Sequence, residues 1–215
     1  MPDLRFSVEK AEAVRHAASP MLNFALNICD DSGETIQAIV LRCQIRIEPA
    51  RRDYRPQEQE RLGDLFGEPS RWGQTLRPML WTHASVVTPP FEGSVTVDLP
   101  VPCTYDFNVA AAKYFHALEN GEVPLRLLFS GTVFQHGPDG NLQICQIPWE
   151  KETTFRLPVE VWKRMMEIYY PNCQWLSLRR DIFDQLQGFK SRNGLPTLEA
   201  AIEKLVAEAG EEAPR

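Results

Sequence analysis

The residues of this chain that could do chemistry are few and scattered. Five cysteines, Cys29, Cys43, Cys103, Cys145 and Cys173, form no C-x-x-C pair and are odd in number, so neither a disulfide framework nor a local thiolate site is spelled out. The four histidines, His16, His83, His116 and His136, show no H-E-x-x-H or H-x-x-x-H spacing. They read as surface or boundary residues, and only a tertiary convergence such as Cys103 with His83 would make a metal site. The G-x-S-x-G elbow that exposes a nucleophilic serine is absent. Ser130 stands beside Gly131 in a strand-like run, where the glycine marks a bulge or a close backbone approach. Cys43 and Cys145 occupy strand positions and read as small hydrophobes. Neither glycine-rich phosphate loop occurs. Two acids from distant strands can work as general acid and base without a local signature, and Asp106 and Glu150 qualify only in that sense. No catalytic residue, cofactor or metal is expected.

One charged feature stands out. Arg42, Arg46, Arg51, Arg52 and Arg55 fall close together, with Glu48 and Asp53 among them. Guanidinium forks bind carboxylates and phosphates bidentately, so Arg42, Gln44, Arg46, Arg51, Arg52 and Arg55 are the candidate protein-binding residues, a docking surface for an acidic partner segment. The competing reading is a solvated sheet face followed by a loop with local ion pairs. Pro- and aromatic-rich runs at TPPFEG and LPVPCTYDF suit protected sheet edges.

The elements that must carry these residues are mostly strands. Ile39, Leu41, Cys43, Ile45 and Ile47 alternate with Val40, Arg42, Gln44, Arg46 and Glu48, which makes a strand with one buried and one wet face, ended by Pro49. Phe6 and Val8 start an earlier strand. Leu22, Phe24, Leu26 and Ile28 mark a second, and the turn Asp30-Asp31-Ser32-Gly33 leads from it into the Ile39–Ile47 strand, with which it is expected to pair antiparallel. A short helix is expected over 56–66, stopped by Gly67 and Pro69, then an irregular connection over 71–80. Further strands follow at 81–88, 94–99, 125–134, 142–144 and 155–157. Between them the alanine-rich 108–118 predicts a helix, capped by Asp106 or Asn108. From Pro158 the period changes to 3.6: Val159, Trp162, Met165, Met166 and Tyr169 form one stripe. Leu178, Ile182, Leu186 and Phe189, behind Ser177, form a second, and Leu198, Ile202, Leu205 and Val206, behind Thr197, a third.

The fold class expected is therefore mainly β with α: an antiparallel β-sandwich, immunoglobulin-like or similar, with helical insertions and a C-terminal helical segment. Its parts are a sandwich domain over 1–157, with helical insertions at 56–68 and 108–119, helices over 158–210 packed on or beside it, and an acidic tail over 211–215. The 215 residues suffice for a sizeable core. A net charge of −6 argues against a general nucleic-acid binder. The charged amino terminus lacks an apolar signal region and no run is long enough to span a bilayer, so a cytoplasmic protein with reduced thiols is expected, without membrane insertion. Its partner is expected to be another protein, and an oligomer is open.

LRCQIRIEP, LFGEPSRWGQTLRPMLW and PVPCTYDFNVAAAKYFHALENGEVPLRLLFSGTVF together resemble a bacterial family of domains of unknown function, over nearly the whole chain. That resemblance transfers no catalytic residue. It implies an accessory, assembly or scaffold role near [NiFe] hydrogenase gene clusters, with a hydrogenase-system component as partner. ENGEVPL, a helix followed by a G-x-x-P step into an extended segment, is similar to the export chaperone SecB and implies a client-binding chaperone. Beside the binding or assembly reading stand two others: that chaperone, and a hydrolase-like enzyme whose pocket is assembled from distant residues.

Overall fold

The computed structural model describes residues 2–103, 109–137, 140–172 and 178–211. Among them the chain forms two compact units, Met1–Asn172 and Cys173–Arg215. The first is a β-sandwich. One layer holds β1 (Leu4–Ala13), β2 (Met21–Asp30) and β5 (Ser94–Pro102) in the order β1-β2-β5. The other runs β4 (Met79–Val87), β3 (Ile36–Ile47), β6 (Glu122–His136) and β7 (Leu142–Gln146), with β8 (Glu152–Pro158) also pairing β6. Every named pairing is antiparallel.

The alternation read from the sequence is the register seen. Ile39, Leu41, Cys43, Ile45 and Ile47 are wholly buried, as are Leu22, Phe24, Leu26 and Ile28 of β2. The two layers meet through aromatic contacts: Phe6 of β1 stacks on Phe129 of β6 at 4.1 Å, and Phe24 of β2 lies 5.5 Å from Phe155 of β8.

The expected pairing of β2 with β3 does not occur. β2 pairs with β1 and β5, and β3 with β4 and β6. The polar link between them crosses from one layer to the other, a step of about 10 Å that a few extended residues can span. Both strands can then turn their apolar faces inward, toward each other. Asp30 anchors the corner, its carboxylate accepting the Asp3 amide at 2.9 Å and the Ser32 hydroxyl, with Gly33 at φ 73°.

Between β3 and β4 the chain forms a 3₁₀ turn at Pro49–Arg51, then α1 (Pro56–Arg61) and α2 (Gly63–Phe66). After a 3₁₀ turn at Pro69–Arg71, the stretch 71–80, expected to be an irregular connection, instead holds the single-turn α3 (Trp72–Thr75) and the start of β4 at Met79. Trp72 orders it, burying its ring edge-on against Phe66 and Tyr54 while its indole N–H donates to the Gly67 carbonyl at 2.9 Å. α4 (Val109–Ala117) follows β5, and α5 (Val159–Tyr169) follows β8. Phe115 of α4 lies parallel to Trp162 of α5 at 5.1 Å and 5.0 Å from Trp81 of β4, so the two helices close one end of the core. Tyr169 pins α5 to the turn between β1 and β2: its hydroxyl donates to the Val14 carbonyl at 2.9 Å and accepts the Ala17 amide at 3.0 Å. α5 thus lies in the first unit.

The second unit holds α6 (Arg180–Arg192) and α7 (Leu198–Glu211). Thr197 caps α7, its hydroxyl accepting the Ala200 amide at 3.1 Å. The expected caps Asp106, Asn108 and Ser177 lie outside the described residues, as do Cys173 and residues 212–215 of the expected tail.

Candidate functional site

The structure separates the six arginine-cluster residues into two sets. Arg42, Gln44 and Arg46 stand in one column on the outer face of β3. Arg42 lies between Ser85 of β4 and Ser130 of β6, Gln44 between His83 and Leu128, and Arg46 between Leu80 and Arg126. Same-face neighbours along a strand repeat at about 6.8 Å, so the column is roughly 14 Å long. Arg46 donates from Nη2 to Gln44 Oε1 at 3.0 Å, and the ladder to β4 shifts by one residue at Ile45/Arg46, where β4 carries the extra residue, Trp81. Arg126, directly across from Arg46, has Nε 3.2 Å from Glu48 and Nη1 3.4 Å from Glu152. Among the described residues neither Arg42 nor Arg46 forms an ion pair.

Arg51, Arg52 and Arg55 lie past Pro49 and are matched by acids. Arg51 is 3.9 Å from Glu48 and Arg55 3.6 Å from Glu119. Arg52 is part of the fold. Its side chain is 9% exposed, Nη2 lies 2.8 Å from Glu58 Oε1, and it donates to the carbonyls of Asn120 and Glu122 at 2.7 and 2.8 Å. Glu58, 1% exposed, also accepts the amides of Glu119 and Arg55. Burial pushes its carboxyl up, but those two amides and the Arg52 guanidinium outweigh it and hold the group below the ordinary carboxylate range. Around this clasp is an open groove of about 430 Å³ whose wall includes Arg51, Asp53, Arg55, Glu122 and Arg156, charges of both signs.

Apolar side chains flank the β3 column. Val40 is 44% and its β4 neighbour Val87 62% exposed, next to Arg42, while Leu80, across from Arg46, is 51% exposed. Of these residues the alternation of β3 names Val40. Arg126 was legible in the alternation of LRLLF, which sets it opposite Leu125 and Leu127. Val87 and Leu80 carry no clear sequence signal, because the extra residue at Trp81 breaks the alternation of β4 and its solvated face is set by pairing with β3.

Among the described residues the other candidate groups lie apart. No cluster of three His, Cys, Asp or Glu that could hold a metal exists among the described residues. Cys43 and Cys103 are buried, and burial pushes both thiols up to about 12, leaving them protonated and unreactive. His116 is held below the ordinary imidazole range by burial, then by Lys163 and Arg61, and faces Trp162. Asp106 lies outside the described residues; Glu150 is exposed on the turn before β8. Gly131 does mark a close approach: at φ 149°, a Cβ there would lie 2.1 Å from the Val40 carbonyl oxygen. No helix among the described residues is long and apolar enough to cross a membrane.

Fold and surface define a β-sandwich with helical additions and an arginine-bearing outer sheet face. Residues 1–214 match a family of unknown function, DUF6084, and the chain belongs to that family. No curated protein matches it. Two solved structures overlap it weakly. The β-glucosidase from Kluyveromyces marxianus is 12% identical at a TM-score of 0.26, over 72% of this chain and 15% of that one. A β-glucosidase from Paenibacillus barengoltzii is 12% identical at 0.28, over 87% and 22%. The chain thus spans less than a quarter of either, and similarity at that level carries over neither fold nor activity.

Proposed function

We propose that this protein acts by binding another protein, as an assembly or accessory factor, and that the outer face of β3 is where the partner docks. The observation that supports this reading is the column Arg42-Gln44-Arg46: two guanidinium groups on the middle of a sheet, without carboxylate partners among the described residues, beside exposed Val40, Val87 and Leu80. Leaving an arginine unpaired on a sheet costs little while water covers it. A partner carboxylate that displaces that water gains a charge-assisted, bidentate contact. The aliphatic neighbours add apolar area that water leaves on binding. The partner segment that fits is extended or looped, with two acids spaced along it and apolar residues between them. The resemblance to proteins from [NiFe] hydrogenase gene clusters supplies the setting, and components of such a system are the first partners to try.

The test is purification of the native complex with its partner, followed by the double variant Arg42→Glu, Arg46→Glu. The expected outcome is a stoichiometric partner whose affinity for the variant falls on the order of a hundredfold. Recovery of the chain alone from its native host, or an unchanged affinity for the variant, removes the reading.

A further inference from the structure

The edges of the two sheets are not alike. β1 carries Arg5, Glu9, Lys10 and Glu12 and a register shift at Val8/Lys10. β5 carries Asp98, Pro100 and Pro102, and β8 carries Glu152, Arg156 and Pro158. β7 is only five residues long. Charges, prolines, bulges and shortness are the devices that stop an edge from recruiting another strand. β4 lacks them: over Thr82–Val87 it has no Asp, Glu, Lys, Arg or Pro, and its one register shift lies before this stretch.

The orientation of this edge follows from one bond. Thr88 donates its amide to the Ile39 carbonyl at 3.1 Å, and Leu41 pairs with Val86, Cys43 with Ala84 and Ile45 with Thr82. In an antiparallel ladder the residues between these turn their N–H and C=O away from the partner strand. Those residues are His83, Ser85 and Val87, all exposed, and none of their amides donates to a described residue.

We infer that β4 pairs antiparallel with β4 of a second copy of this chain, about a twofold axis at Ser85. In that register Ser85 meets the partner's Ser85, and His83 meets the partner's Val87. Each outward residue supplies one donor and one acceptor, so the pairs close as narrow hydrogen-bonded pairs without a leftover amide. A second copy is the occupant that this edge fits. An isologous contact sets a residue against its own image, so any charge on the axis would meet its like, and the axis residue here is a neutral serine able to bond its image. Because Arg42 is the β3 partner of Ser85, the two Arg42 side chains would fall on one line across the dimer, three strand spacings or about 14 Å apart. The dimer stands independently of the proposed partner face.

The full chain is tested by sedimentation velocity and light scattering across micromolar concentrations, with Ser85→Pro, Ser85→Lys and the control Ser130→Lys. Ser85→Pro removes an outward amide that makes no bond within the monomer, and Ser85→Lys sets two charges against each other on the axis. Ser130→Lys puts the same charge on the same face, two strands from the edge. The expected result is a mass of twice 24.6 kDa for the parent chain and for Ser130→Lys. Both Ser85 variants should be monomeric, with the parent's thermal midpoint at low concentration. Amide exchange at His83, Ser85 and Val87 should slow as the parent is concentrated, a readout that needs no variant. A parent chain that stays monomeric, a dimer that survives both Ser85 variants, or exchange at these amides that ignores concentration overturns the inference. Arg42→Glu with Arg46→Glu should leave the mass unchanged, so loss of a partner and loss of the dimer are separable.

Discussion

The Arg52 guanidinium lies 2.8 Å from the Glu58 carboxylate with both side chains almost out of water, and the pair ties the loop after β3 to the turn between α4 and β6. Such a pair is a weak source of net stability while intact, because desolvation offsets the attraction. Losing one member is another matter, since the other stays buried and charged. Glu58→Gln is therefore expected to cost about 3–5 kcal/mol in urea unfolding at neutral pH.

The same pair predicts an acid sensitivity. The Glu58 carboxyl is held below its ordinary value in the folded protein, so its contribution is present above the carboxylate range of the unfolded chain and is lost as pH falls through the depressed folded value. The gap in stability between the parent and Glu58→Gln should narrow in acid. Paired urea titrations at neutral and acidic pH check it, and a constant gap would refute it.

Gly131 sits where no side chain fits. Gly131→Ala puts a Cβ 2.1 Å from the Val40 carbonyl oxygen in a backbone conformation at φ 149°. A loss of at least about 2 kcal/mol is expected from strain and forced movement of β3. Denaturant unfolding measures it.

Tyr169→Phe removes one hydroxyl that serves two backbone groups, the Val14 carbonyl and the Ala17 amide. The expected cost is about 0.5–1.5 kcal/mol, the net worth of a hydrogen bond between part-buried groups, with faster amide exchange at Ala17.

Arg42 and Arg46 should behave unlike Arg52. Arg42→Glu is expected to alter folding stability by no more than about 0.5 kcal/mol, as exposed residues do, and the half-buried Arg46→Glu by about 1 kcal/mol, whereas Arg52→Glu should prevent normal folding by facing Glu58 with a second acid. Thermal melts of the three variants separate a surface role from a structural one.

The contrast among these arginines marks how far the sequence reads. Alternation predicts which face of β3 Arg42 and Arg46 occupy, since period two is a local property of the chain. Spacing alone groups Arg51, Arg52 and Arg55 with them, because their partners Glu48, Glu58 and Glu119 are picked out only when the loop folds onto the α4–β6 turn. The expected pairing of β2 with β3 fails for a related reason. A short polar turn is compatible with a hairpin and with a crossing between layers, and burial of both apolar faces chooses the crossing.

The sequence by itself determined the strands, their inward residues, the wet face of Ile39–Ile47 and the change to helix after Pro158, all consequences of side-chain periodicity acting over a few residues. Tertiary structure alone decided which strands are neighbours, that Arg52 is interior while Arg42 is not, and that Thr82–Val87, without charge or proline, lies on a strand at the end of its sheet. Those properties belong to pairs of segments far apart in the chain, and their energies exist only once the core has closed around them.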